Sequence, residues 1–227
     1  MTPSTLLQLI WLASPALPVG GYSYSEGLEA VIEAGLVGDE ATTQRWLLDQ
    51  QALALGRSEL PLLAQALAAW RQTDAPRLAA LNDWHRRTRE SRELLRQTEQ
   101  MGRSMLEWLR AGSGDGDARV DMLAALAPAP TWPLAWALAV VRSGATARDA
   151  LLAHGFGWAE NLVQAALKAV PLGQTAGQRV LGALAEALPP LVDDALAMDD
   201  TARQAYTPGL ALLSARHETQ YSRLFRS

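Results

Sequence analysis

The stretch Ser14-Pro15-Ala16-Leu17-Pro18-Val19-Gly20-Gly21-Tyr22-Ser23-Tyr24-Ser25-Glu26-Gly27-Leu28-Glu29 interrupts a chain that otherwise reads as alanine- and leucine-rich helix. Pro15 and Pro18 fix their own φ and press Ser14 and Leu17 toward extended backbone. Gly20-Gly21 permits a sharp turn after them. Ser23 with Glu26 three residues on has the spacing of a capping box, which predicts a helix opening there. The stretch reads as a rigid loop feeding a helix N-terminus, with Tyr22, Tyr24, Glu26 and Glu29 close by. An ordinary corner between two helices would use the same residue types.

Outward from this loop, helical spacing dominates. Leu6, Leu9, Ile10 and Ala13 mark a short first helix, and Leu28, Val31 and Ile32 a second that ends near Gly35. Trp46, Leu47, Ala54 and Leu55 mark a third. Ser58 with Pro61 predicts a restart, with Leu62, Leu63, Leu67 and Trp70 as the buried face. Asp74 caps a segment through Leu78, Leu81 and Trp84. Residues 91–111 form a long helix with Leu94, Leu95, Met101, Met105 and Trp108 inward. Thr146 and Asp149 cap a helix carrying Leu151, Leu152, Trp158, Leu162, Ala166 and Val170. Pro171-Leu172-Gly173 breaks it. Val180, Leu181, Leu184 and Leu188 resume the pattern until Pro189-Pro190, and Pro208 starts the last helix. No strand alternation and no fixed-period repeat is present.

The expected fold is all-α: one irregular bundle of roughly ten helices packed ridge into groove. It spans residues 1–227, with a helix and loop over 1–25 and a distinct tail over 214–227. Gly112-Ser113-Gly114-Asp115-Gly116-Asp117 is the most flexible stretch by composition. It reads as a surface loop rather than a linker between domains, because neither half alone can cover its apolar faces.

Composition narrows the function classes. The hydrophobic fraction is 49% and the charged fraction 19%, which suits a globular protein with a sizeable core. With 20 Lys+Arg against 24 Asp+Glu, the net charge is -4, so no strong positive field would attract nucleic acid. Cys is 0, which rules out disulfides, thiolate metal sites and a cysteine nucleophile. Met1-Thr2-Pro3-Ser4 carries no basic segment, and the apolar runs are too short for a bilayer, so no secretory leader and no membrane association are expected. The expected compartment is the cytoplasm.

The residues offer little chemistry. His85, His154 and His217 are scattered, with no Glu-x-x-His or His-x-x-x-His pair on one helix face. No phosphate loop and no nucleophile elbow occurs. Asp193-Asp194 and Asp199-Asp200 could supply oxygen ligands to a cation. They also fit a solvated helix end beside Pro189-Pro190, the simpler account. Arg86, Arg87, Arg89, Arg92 and Arg96 alternate with Glu90, Glu93 and Glu99. They read as a salt-bridged face in which Arg89 meets Glu93 and Glu99 meets Arg103. Lys168 is the only lysine, a candidate contact or a charge near a helix C-terminus. In the tail, Leu213, His217, Tyr221 and Phe225 would share one side if helical, and aromatic residues beside arginines favour an interface. Such a segment either docks on its own domain or orders on a partner.

The loop and the tail together resemble the urease accessory protein F family. The resemblance rests on Leu12-Ala13-Ser14, Leu17 to Ser25, Gly27-Leu28-Glu29, Ala34-Gly35 and Glu59-Leu60-Pro61-Leu62. It extends through Thr88 to Leu94, Lys168 to Gln174 and the tail Ser214 to Ser227. It implies a cytosolic, all-α homodimer that is no enzyme and holds no cofactor or resident metal. Such a protein binds the accessory protein called D or H and recruits the nickel-carrying GTPase accessory protein G. The assembly docks on apo-urease for GTP-dependent nickel insertion. By the same resemblance Pro18, Glu29, Glu59, Glu93 and Lys168 belong to the GTPase-recruiting surface. Arg216, His217, Tyr221, Arg223 and Phe225 belong to the surface for the D/H partner, and Tyr22, Ser25 and Glu26 to the loop motif. Two other classes compete: a helical-bundle metalloenzyme using the carboxylates of Asp193, Asp194, Asp199 and Asp200 with a histidine, and a GTPase-activating protein using Arg89 or Arg223 as an arginine finger.

Overall fold

Helix starts fall where a short polar side chain can accept from an orphaned first-turn amide. Thr2 does so for Thr5, Asp74 for Arg77 and Thr146 for Asp149, while Asp39 and Thr42 form a reciprocal capping box. The computed structural model describes residues 1–112 and 116–227. Its elements are α1 (Pro3–Ala13), a 3₁₀ turn (Gly21–Ser23), α2 (Leu28–Glu33), α3 (Glu40–Gln50), a π-helical run (Gln51–Glu59) and α4 (Leu60–Gln72). They continue with α5 (Ala75–Arg87), α6 (Arg92–Gly112), α7 (Ala118–Ala124), α8 (Trp132–Ser143), α9 (Ala147–Ala169), α10 (Gln174–Ala197) and α11 (Pro208–His217). No strand occurs among the described residues. The expected glycine-rich loop has its centre, Ser113 to Asp115, outside them.

The architecture is all-α, with α8 as its central rod. Leu134, Ala135, Trp136, Ala137, Leu138 and Val140 are all buried, so over residues 133–140 no face of α8 is left for water. It packs on α4, α6 and α1, and α9 pairs with α10 across the chain break at Pro171-Leu172-Gly173. The two buried indoles are satisfied, Trp70 donating to the Leu134 carbonyl (2.9 Å) and Trp136 to that of Leu12 (3.1 Å). One core cluster draws on both halves of the chain, from Leu9 to Ala195. A second, smaller cluster gathers Leu28, Val31, Val37, Ala166 and Val170 around Leu213 and Phe225.

Five sequence expectations are corrected. The Ser23/Glu26 capping box does not form: α2 starts at Leu28 behind Gly27 (φ 80°), and Glu26, also at positive φ (51°), turns inward. The restart at Ser58-Pro61 is absent, because the backbone stays helical from residue 40 to 72. The Leu60 amide reaches back five residues to the Leu55 carbonyl, and the wider π turns sit directly ahead of Pro61, which has no amide to donate. α10 likewise runs through Pro189-Pro190. The tail is not helical beyond His217, so Tyr221 and Phe225 part company, the one fully exposed and the other buried. On α1, Leu9 and Leu12 face the core, whereas Leu6 and Ile10 of the expected stripe are exposed beside Leu7 and Trp11.

Candidate functional site

The tail lies on its own domain. The Thr219 and Gln220 amides still reach back to the Arg216 and His217 carbonyls, but farther along the tail acceptors must come from elsewhere. Glu29, on α2, supplies two: its Oε1 accepts from the Leu224 amide (2.7 Å) and its Oε2 from the Phe225 amide (3.0 Å). Glu93, in the first turn of α6, accepts from the Arg223 guanidinium at 2.5 Å. Between these carboxylates lies His217, with Nδ1 2.6 Å from Glu93 Oε2 and Nε2 3.3 Å from Glu29 Oε2. The loop closes the other edge. The Ser25 hydroxyl and amide both donate to the Ser227 carbonyl, and the Arg226 amide donates to that of Ser23. Phe225 fills the second core cluster, with Lys168 Nζ 5.8 Å from its ring centroid.

The structure thus joins what the sequence keeps apart. Glu29, Glu93 and Lys168, expected on one partner surface, meet His217, Arg223 and Phe225, expected on another. Glu29 and Glu93 are buried beneath the tail, while Lys168 is exposed. Arg216, Tyr221 and Pro18 are also exposed and touch none of this network. Arg89 does not pair with Glu93; it donates to Ser58 Oγ (3.3 Å).

Glu59, Glu26 and Tyr22 lie instead at a partly open pocket of about 130 Å³, between the loop, the π-helical run, α6 and α9. Glu59 Oε1 is 2.7 Å from His154 Nε2, and the His154 ring packs edge-on against Trp136. Burial alone would push the Glu59 carboxyl up, but the hydrogen bond and charge of His154 prevail and hold it near a pKa of about 2. Glu26 goes the other way. Burial and the nearby Glu59 charge raise its pKa, against donation from Trp158 Nε1 and Gln97 Nε2, each at 2.9 Å. His85, fully buried, is held well below the usual imidazole range by burial and then by Arg89. Gln97 belongs to both assemblies, since its Oε1 accepts from the Ser227 hydroxyl at 2.7 Å.

Sequence reading missed Gln97, Trp158 and the Glu59–His154 pair. Gln97 carried a signal, one helical turn after Glu93 on the same buried face. Glu59 and His154 are 95 residues apart, and no local spacing links them. Three of the four acids in the acidic run are spent on structure, and Asp194 is exposed. Asp193 pairs with Arg148 (2.7 Å), Asp200 with Arg77 (2.6 Å), and Asp199 accepts from the Thr201 and Ala202 amides. Among the described residues, no group of three or more His, Asp or Glu side chains could hold a metal ion. No helix among them is long and apolar enough to cross a membrane.

Residues 37–185 match the model of the family UreF. The chain is 64% identical to the urease accessory protein UreF of Methylibium petroleiphilum, covering 99% of this chain and 94% of that one. It is 58% identical to the protein of that name from Paracidovorax citrulli, over 99% of this chain and 90% of the other. For the counterpart from Polaromonas the identity is 55%, over 99% and 95%.

Proposed function

Because this chain belongs to the UreF family of urease accessory proteins, we propose that it serves urease maturation as a scaffold. It is an accessory protein and not an enzyme. In this reading it acts in the cytoplasm as a homodimer, joins the D/H accessory protein and recruits the GTPase accessory protein G. The complex docks on apo-urease, where nickel enters as cargo under GTP control.

The observation that carries the reading is the meeting of the tail with Glu29, Glu93 and Lys168 on one face. Three residues of each set that the family resemblance ties to a partner, Glu29, Glu93 and Lys168 of the one and His217, Arg223 and Phe225 of the other, occupy this one place. A face of paired charges with an exposed lysine at its edge favours partner choice and encounter rate over chemistry. The cavity groups are engaged with one another, and the pairing of Asp193, Asp199 and Asp200 leaves little for a metalloenzyme.

The test is a pull-down from cells expressing the urease operon, using the whole chain and a chain ended at Arg216. The whole chain should bring down the D/H partner and the GTPase, and the shortened chain should lose the D/H partner. Equal recovery of that partner by both would remove the tail from the interface.

A further inference from the structure

We propose that Glu29 and Glu93 are positioning residues. They hold residues 217–227 as a strap over α2 and α6, and they support GTPase recruitment through that strap rather than by touching the GTPase. The inference rests on the recruiting role proposed above and changes the part these two residues play in it.

Their carboxylates are already occupied. All four oxygens face the tail: the Leu224 and Phe225 amides and His217 take those of Glu29, while His217 and Arg223 take those of Glu93. Glu29 is 8% exposed and Glu93 9%, with the strap lying over them. A partner could reach either acid only by displacing the strap and breaking its bonds from Leu224, Phe225 and Arg223. Groups left open to a partner on or beside the strap include Tyr221, Leu224 and Lys168. Charge at Glu29 and Glu93 therefore reaches the outer surface by fixing where those groups stand.

The hold has supports on both sides. Glu218 accepts from the Arg92 amide at 2.8 Å, tying the start of the strap to the start of α6. Ser25 and Gln97 fix its end at Ser227. The two acids sit between these anchors, where residues 223–225 cross. Removing either acid should free the middle of the strap while the helices beneath keep their own bonds.

The experiment pairs hydrogen exchange on the purified full chain with capture of the GTPase in the presence of the D/H partner. The variants are Glu29→Ala, Glu93→Ala and Lys168→Ala. For the two acid variants, exchange in the peptide spanning 218–227 should rise at least tenfold while that of α8 stays as in the parent. GTPase capture should fall in the same rank order. Lys168→Ala should lower capture with strap exchange unchanged.

An acid variant that loses capture while its strap exchanges as in the parent would show direct contact and overturn the proposal. A freed strap with undiminished capture would overturn it too. Should α8 exchange rise as well, Glu29→Gln and Glu93→Gln, which keep the side-chain volume, take the same two readings. If the parent chain captures no GTPase, the recruiting role falls and takes that half of the inference with it. The exchange arm still decides whether the two acids hold the strap.

Discussion

Glu59 and His154 show how much a single pair can carry. Each is enclosed, so each depends on the other for its hydrogen bond, and Glu59→Gln should destabilise the protein by about 1–3 kcal/mol. Urea unfolding of the two proteins would measure it. The titrating groups also set the acid response. Folded His85 resists the proton that the unfolded chain accepts near 6.5, so stability falls as pH drops through that value. Glu59 adds a second loss between its ordinary 4.5 and about 2. Glu26 has the opposite sign: its raised pKa means the folded state keeps its proton longer, so its contribution declines as pH rises above 4.5. Calorimetry from pH 5 to 8 should show a melting temperature that climbs with pH, and a His85→Gln variant should flatten the climb. A climb that survives this change would assign it elsewhere. Lys168→Ala, at an exposed site, should leave the melting temperature unchanged.

At the scale of elements, glycine chemistry separates close approach from open helix. A Cβ on Gly102 of α6 would lie 2.2 Å from the Pro130 carbonyl oxygen and 2.8 Å from its carbon, both backbone atoms that cannot rotate away. Gly102→Ala should therefore cost on the order of 2–3 kcal/mol. Gly182 of α10 meets nothing within 4 Å, and Gly182→Ala should stabilise by about 0.5–1 kcal/mol. Thermal melts of both variants test the contrast. Most elements were legible because their start signals are local: Asp74 and Thr146 accept from amides three residues on. The misreadings at Pro61 and Pro189-Pro190 share a cause. Proline removes a donor, but packing on α8, α9 and the neighbouring rods keeps the backbone helical through it. That packing is tertiary and leaves no local mark. The exposed Leu6, Leu7, Ile10 and Trp11 of α1 misled in the same way, since apolar residues lie all around that helix.

For the whole molecule, the sequence marked the loop and the tail as distinctive yet read them as separate. They meet because α2 and α6 bring Glu29 and Glu93 to one place, over separations of 188 and 124 residues from His217. No spacing rule spans such distances. A chain ended at Arg216 loses one helical residue, His217, so its far-ultraviolet dichroism should match that of the full chain. Its melting temperature should fall, because Phe225 alone contributes roughly 1.5–3 kcal/mol of apolar burial. Unchanged melting would mean the segment adds nothing to the folded state in solution.

Gln97 ties these scales together. Its amide nitrogen binds Glu26 at the cavity wall and its amide oxygen binds Ser227. Nature has put one swivel between an inner chamber and an outer clasp. When the clasp lifts, that swivel loses its outer anchor and is held by Glu26 alone. The outer segment and the wall of the pocket thus share one side chain.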